Sequence, residues 1–323
     1  MPRFTSESGA TLPMDGVTYN YQGATMSVPS GDVFDDAEVR QVADVATTLY
    51  SEVQYSPGSG LFGIATETSG WITMPMQSVW AGSGTPPDQV ASSGDLVVWA
   101  RDNGIVNITG SGIASVTDES IVSSGTVWSQ LNTPNVASGF QNGRDAMFFN
   151  GTNDALHRSL AYIQGTNPAA TIIGVVHPTA NTASTIWGEA LNSNGFNSQV
   201  LVNSTNNVDG SVLNYFKRND TSSTSATTTI PWDAPGTTRM FSILDDGTSC
   251  QIWVDGVEQT VAPSGTTVGA LNNNNRMAIG ARRNLTTDSY YPGGVLEMIV
   301  FDVEISDAER QDIEAYLTDR WAL

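Results

Sequence analysis

The stretch from Val295 to Leu323 limits what this chain can fold into more than any other. An apolar, strand-like run, Val295-Leu-Glu-Met-Ile-Val-Phe-Asp-Val-Glu-Ile305, passes directly into Ser306-Asp-Ala-Glu309. Ser306 and Glu309 have the S-x-x-E spacing of a capping box, in which each side chain satisfies a free backbone N–H of the first helical turn. Ile313, Tyr316, Leu317 and Trp321 then recur at helical spacing and give one apolar face. A strand feeding a capped amphipathic helix calls for a β-rich body with an apolar surface ready to receive that face.

The composition agrees with such a body. Of the 323 residues only 14% are charged and 39% are hydrophobic, and Gly, Ser, Thr and Asn are abundant. Short strands joined by many turns suit this mixture, and helical bundles do not. The formal net charge is −20, from 33 acidic and 13 basic residues, of which Lys217 is the one lysine. Nucleic acid is therefore excluded as a partner, because its phosphates would be repelled. Neutral glycans and protein shells are not. Cys250, the single cysteine, has no intrachain partner and is expected to be a buried thiol. The start, Met1-Pro-Arg-Phe-Thr-Ser-Glu, lacks the basic and apolar regions of a signal peptide. No apolar run reaches the ~18 residues of a membrane span. The expectation is a chain made in the cytoplasm, with no membrane span and no classical export.

Residues 1 to 30 read as an extended polar arm. Asp32–Val53 reads as a helix, with Val39, Val42, Ala46, Leu49 and Val53 on one stripe. That stripe packs on its own domain or docks on a partner, and Phe4, Val39, Val42 and Leu49 are the residues expected at a docking surface. Thr85-Pro-Pro-Asp and Ala91-Ser-Ser-Gly-Asp95 resemble a linker, placing a boundary near residue 93 between an attachment region (1–93) and a main domain (94–323). Strands are expected at Leu96–Ala100, Ala146–Phe149, Thr171–His177, Gln199–Asn203, Val212–Lys217, Arg239–Leu244, Cys250–Val254, Arg276–Gly280 and Leu296–Asp302. Thr221–Thr229 is expected to be a surface loop.

Several stretches resemble the concanavalin A-like, laminin-G-like jelly roll found in bacteriophage virion proteins. They are Leu96-Val-Val-Trp-Ala-Arg-Asp102, Asn142–Leu156 with its Asn150-Gly-Thr-Asn-Asp154 corner, Ile252-Trp-Val-Asp-Gly-Val-Glu258, Met277-Ala-Ile-Gly280 and Gly294–Asp302 with the closing helix. The resemblance covers about residues 95–323. It implies a mainly β, concanavalin A-like sandwich with a short C-terminal helix, preceded by an N-terminal arm and helix. Because this architecture hosts enzymes, lectins and structural modules, it specifies fold more than function.

The chemistry sought in the residues is sparse. Glucanases of this fold place two carboxylates on one strand face, ~5–5.5 Å apart in retaining enzymes. Glu297, Asp302 and Glu304 are the nearest candidates, but Glu297 and Asp302 differ by an odd number and face opposite sides of a regular strand. His157 and His177 lack a paired nucleophile, and no G-x-S-x-G elbow is present. The chain is expected not to be an enzyme. Calcium is the one ion considered, with Asn150, Asn153 and Asp154 as oxygen donors; Asx turns holding the corner are the plainer alternative. Trp187, Trp232, Tyr290 and Tyr291 are the candidate aromatic platform for a glycan, while Trp99 and Trp253 belong to the core.

These readings lead to a bacteriophage virion structural protein, a capsid decoration protein or head fibre, anchored by its N-terminal region on the major capsid or another virion protein. A homo-oligomer is expected, with a trimer as its form. The alternative is a tail-fibre adhesin or carbohydrate-binding protein that recognises host or environmental glycans, with glycoside hydrolysis ranked last.

Overall fold

The structure, a computed structural model, describes residues 84–323 apart from 108–111, 191–197, 208–209, 220, 230, 233–234, 266–267, 272–274 and 283–288, together with the backbone of four strands before residue 76. The chain divides into two units, Met1–Gly82 and Ser83–Leu323. In the first, β1 (Phe4–Ser6), β2 (Tyr50–Ser56), β3 (Leu61–Thr66) and β4 (Gly70–Pro75) form one sheet in that order, with β1 parallel to β2. Tyr50–Val53, expected to end a helix, instead begin β2. The rest of that expected helix, including Val39, Val42 and Leu49, lies outside the described residues, and Phe4 falls in β1.

The second unit is a β-sandwich closed by one helix. Its first ten strands are β5 (Leu96–Arg101), β6 (Ile105–Asn107), β7 (Ile113–Thr117), β8 (Val127–Leu131), β9 (Asn135–Gln141), β10 (Arg144–Asn150), β11 (Ala155–Arg158), β12 (Gly165–Thr166), β13 (Ala170–Pro178) and β14 (Ser184–Ala190). Then come β15 (Gln199–Asn207), β16 (Gly210–Arg218), β17 (Ser223–Thr228), β18 (Arg239–Asp245), β19 (Cys250–Val254), β20 (Val257–Glu258), β21 (Val261–Gly265), β22 (Ala270–Leu271), β23 (Arg276–Ile279), β24 (Pro292–Phe301) and helix α1 (Asp307–Trp321). One sheet runs β20-β19-β18-β13-β24-β10-β9, with β5 also paired to β24; the other runs β21-β17-β16-β15-β14-β23-β11-β8-β7-β6. A small pair, β12 and β22, stands apart.

Strands β13 and β24 are buried along almost their whole length, as expected for a sheet covered on both faces. Their side chains divide between two cores. Ile172, Val176, Val295, Met298 and Val300 join the core between the sheets. Ile173, Val175, Leu296, Ile299 and Phe301 join a second core with Ile313, Leu317 and Trp321 of α1. Gly280 turns the chain out of β23 at φ +80°, and a Cβ there would lie 2.6 Å from the Phe149 ring, so only glycine fits.

The expected boundary at residue 93 shifts to about residue 82. Thr85 N–H donates to the Asp312 carbonyl at 3.0 Å, Val90 is buried in the helix-side core, and Ser92 N–H donates to Glu309 Oε1 at 2.7 Å. The Pro- and Ser-rich composition reads as a linker, but one apolar anchor and these hydrogen bonds bind the segment down. Thr221–Thr229 is corrected too: residues 223–228 are β17, whose Ala226 faces the core. β-branched threonines pair well in a pleated sheet, and composition alone hides that.

The capping box forms as the sequence requires. Glu309 N–H donates to Ser306 Oγ at 3.3 Å, and Ser306 N–H donates to Glu309 Oε2 at 2.9 Å. Burial works to raise the Glu309 carboxyl, yet the hydrogen bonds from Ser306 and Ser92 outweigh it and hold it down to about 2. A depressed carboxyl contributes stability above its usual 4.5, and that contribution is lost as pH falls towards about 2. Ser306→Ala is expected to cost about 1 kcal/mol in urea unfolding at pH 7. The cost should shrink in acid, and an unchanged acid limb would remove the capping box from the account.

Candidate functional site: a polar groove across the ten-stranded sheet

Side chains alternate between the two faces of a strand. On β15, Val200 and Val202 enter the core and Leu201 and Asn203 point away; on β16, Leu213 and Tyr215 enter and Asn214 and Phe216 point away. Leu201 is opposite Phe216, and Asn203 is opposite Asn214. Thr185 of β14 and Thr227 of β17 extend this row to four adjacent strands. Thr185 Oγ1 donates to Asn203 Oδ1 at 2.8 Å, Asn203 Nδ2 to Asn214 Oδ1 at 3.4 Å, and Asn214 Nδ2 to Thr227 Oγ1 at 2.6 Å. Such a relay fixes every amide in one orientation. Above it lies a groove of about 230 Å³, walled by Leu201, Phe216, Ser184, Ser289 and Arg282. Among the described residues its lining offers amides, hydroxyls, one ring and one guanidinium, and no carboxylate.

A second cavity, about 630 Å³, lies where β19 meets the start of α1, lined by Trp253, Glu258, Glu304, Asp307 and Arg310 among others. The Arg310 guanidinium stacks on Trp253 at 4.1 Å and pairs with Asp307 and Glu314. Burial, then Asp246 and Asp245, raises the Glu304 carboxyl.

Glu297, the carboxylate expected nearest to a sugar cleft, is wholly buried and takes no part in either cavity. It accepts from the indole Nε1 of Trp99 at 2.5 Å and of Trp321 at 2.9 Å, and pairs with Arg320 Nε at 3.0 Å. Burial raises its carboxyl against the pull of Arg320 and Trp99. It is a latch between β24, β5 and α1. Asp118 plays the same part across the inner face. Its Oδ1 accepts from Trp99 N–H at 3.0 Å and Ser120 N–H at 2.9 Å, and its Oδ2 from Trp128 Nε1 at 3.1 Å and Arg158 at 2.8 Å.

Three of the four aromatics expected to form a glycan platform are core residues. Trp187, Trp232 and Tyr291 are 0%, 2% and 1% exposed, because each anchors an apolar gap between the sheets. Tyr290 is half-buried against Ala155, Ala278 and Ala281, next to Ser289 at the groove wall. The ring that does face the groove, Phe216, was missed; its signal was the alternation Leu213-Asn-Tyr-Phe216. At the corner, Asn150 Oδ1 accepts from the N–H groups of Thr152, Asn153 and Asp154 at 2.8, 3.0 and 3.2 Å, and Asn150 Nδ2 donates to Asn153 Oδ1. Both amide oxygens of the expected calcium set thus serve the turn, while burial raises the Asp154 carboxyl. His177 sits between Phe140 and Phe148 with Thr238 at 3.1 Å from Nδ1, and His157 lies on β11; burial lowers both. Burial likewise pushes the Cys250 thiol up.

The fold is that of a β-sandwich closed by one helix, with the groove on the outer face of its ten-stranded sheet. No protein-family model matches the sequence, and none of the curated proteins does. Among solved structures, the chain is similar to domain 4 of an extracellular arabinanase from Geobacillus stearothermophilus in complex with arabinotriose, at 15% identity and TM-score 0.47, covering 68% of this chain and 98% of that one. It is also similar to a sialidase from Trypanosoma rangeli, at 14% identity and TM-score 0.46, and to a SAP-like pentraxin from Limulus polyphemus, at 14% and 0.40. These cover 82% and 52% of this chain, and 44% and 80% of theirs. The chain therefore spans less than half of the sialidase. The expectation that the chain is not an enzyme is corrected by these matches, since glycoside hydrolases stand among its structural neighbours and the fold does not exclude catalysis. At such identities the likeness concerns the fold and assigns no residue.

Proposed function

We propose that this chain binds oligosaccharide, and that the groove over β14–β16 is where it does so. The observation that carries this reading is the oriented Thr185–Asn203–Asn214–Thr227 relay beside Phe216. Sugar hydroxyls need donors and acceptors fixed in place, and the C–H face of a sugar ring packs on an aromatic face. A groove smaller than the ~300–1,000 Å³ of deep ligand pockets suits a chain laid on the surface with few rings engaged. With a net charge of −20, neutral sugars are favoured over polyanionic ones. The sugar-bound arabinanase domain agrees in kind.

A glycan array on the full chain is the test, followed by titration of any hit. Asn214→Ala and Phe216→Ala are each expected to weaken binding roughly tenfold, about 1.4 kcal/mol, with little dependence on salt. Unchanged binding in both variants, each shown folded by its melting curve, would move the site elsewhere. Sugar release in the same assay would direct substitution to Glu258, Glu304 and Asp307, the carboxylates of the second cavity.

A further inference from the structure

The inner face of β16, opposite the groove, carries a different chemistry. Lys217 projects from the ten-stranded sheet and is 2% exposed. Asp245 ends β18 of the facing sheet and is also 2% exposed. The lysine Nζ lies 2.7 Å from Asp245 Oδ2 and donates to the Pro168 carbonyl at 3.2 Å. Tyr215, two residues earlier on the same face, donates its hydroxyl to the same Oδ2 at 2.7 Å. Gly247 N–H donates to the other oxygen, Oδ1, at 2.9 Å. A buried ion pair is costly to desolvate, and an apolar pair of the same volume would often hold the sheets equally well. What this arrangement has beyond a salt bridge is a nucleophile, an electrophile, a proton donor and an oxyanion donor within hydrogen-bond distance of one carboxyl group.

We propose that Lys217 and Asp245 condense to an intramolecular amide that joins the two sheets covalently. A proton passing from Nζ to Oδ2 gives a neutral amine and a carboxylic acid. The amine lone pair adds to Cγ, and the charge that develops on Oδ1 meets the Gly247 N–H. Tyr215 hands its proton to Oδ2 and regains one from nitrogen. The Nζ–Cγ bond forms, the Cγ–Oδ2 bond breaks, and Oδ2 leaves as water. No oxidant, reductant or cofactor enters the balance. Burial, then the neighbouring Asp245, raises the Tyr215 hydroxyl well above its usual value, which keeps it a donor. Held in contact, the two groups react as one molecule, and the dry interior slows the return of water.

The intact mass of the full chain, measured denatured, tests this without reference to sugar binding. The expected result is a mass about 18 Da below that of its sequence, the loss of one water. A digest should contain a branched peptide joining the segments around residues 217 and 245. Asp-Gly pairs such as Asp246-Gly247 lose the same mass on forming a succinimide, so the digest is repeated after hydroxylamine, which opens succinimides and leaves amides. Lys217→Met should have the full mass of its own sequence. A wild-type mass equal to the sequence, or a loss that hydroxylamine reverses, would overturn the proposal.

Discussion

Glu297→Ala is expected to lower the free energy of unfolding by about 3–5 kcal/mol, measured by urea denaturation of the full chain. The substitution removes a carboxylate and leaves two buried indole N–H groups and the Arg320 guanidinium facing each other without it. Arg320 also contacts Asp102, but its charge would then be shared with one carboxylate instead of two. A domain of ordinary stability has only about 5–15 kcal/mol in hand, so the helix side of the structure should open well before wild type does. A loss under about 1 kcal/mol would mean that apolar packing of Ile313, Leu317 and Trp321 holds α1 unaided.

Asp118→Ala should be of similar size, about 3–5 kcal/mol, and should appear as a fall of roughly 10 °C or more in melting temperature. Four donors converge on that carboxylate, and Arg158, 6% exposed, has its charge matched there. Trp99 connects the two effects: its backbone N–H reaches Asp118 and its indole N–H reaches Glu297. The double variant should therefore depart from the sum of the singles by about 0.5–3 kcal/mol. Strict additivity would mean that the two carboxylates stabilise separate parts of the sandwich.

The closing helix was legible down to its hydrogen bonds, because a capping box and a 3–4 spaced stripe are local signals. Most of the long apolar strands were legible for the same reason; β14 was not, although all 7 of its residues are buried. The edges were harder. Strands such as β17 and β21 are rich in Ser, Thr and Pro, and become strands through their neighbours. The groove was less legible still. Asn203 and Asn214 fall in expected strands, but that they face each other shows only once those two strands are known to be adjacent and in register. The four proposed platform aromatics were chosen by their nearness to turns, a poor guide to burial where a strand edge lies within two or three residues. Glu297, read as the nearest candidate for a sugar-cleft carboxylate, is claimed by two tryptophans that lie 198 and 24 residues away along the chain, and no local pattern announces such partners.

The position of Lys217 also affects how the assembly of this chain can be studied. The chain has no other lysine, and this one is enclosed between the sheets whether or not it is joined to Asp245. Glutaraldehyde and bis-succinimidyl esters bridge subunits through lysine amines, and carbodiimides join such amines to carboxylates. On this chain none of them finds an accessible lysine to work with. Bridging through lysines is therefore not expected, the α-amino group is the one amine left to such reagents, and the state of assembly is better read from mass in solution.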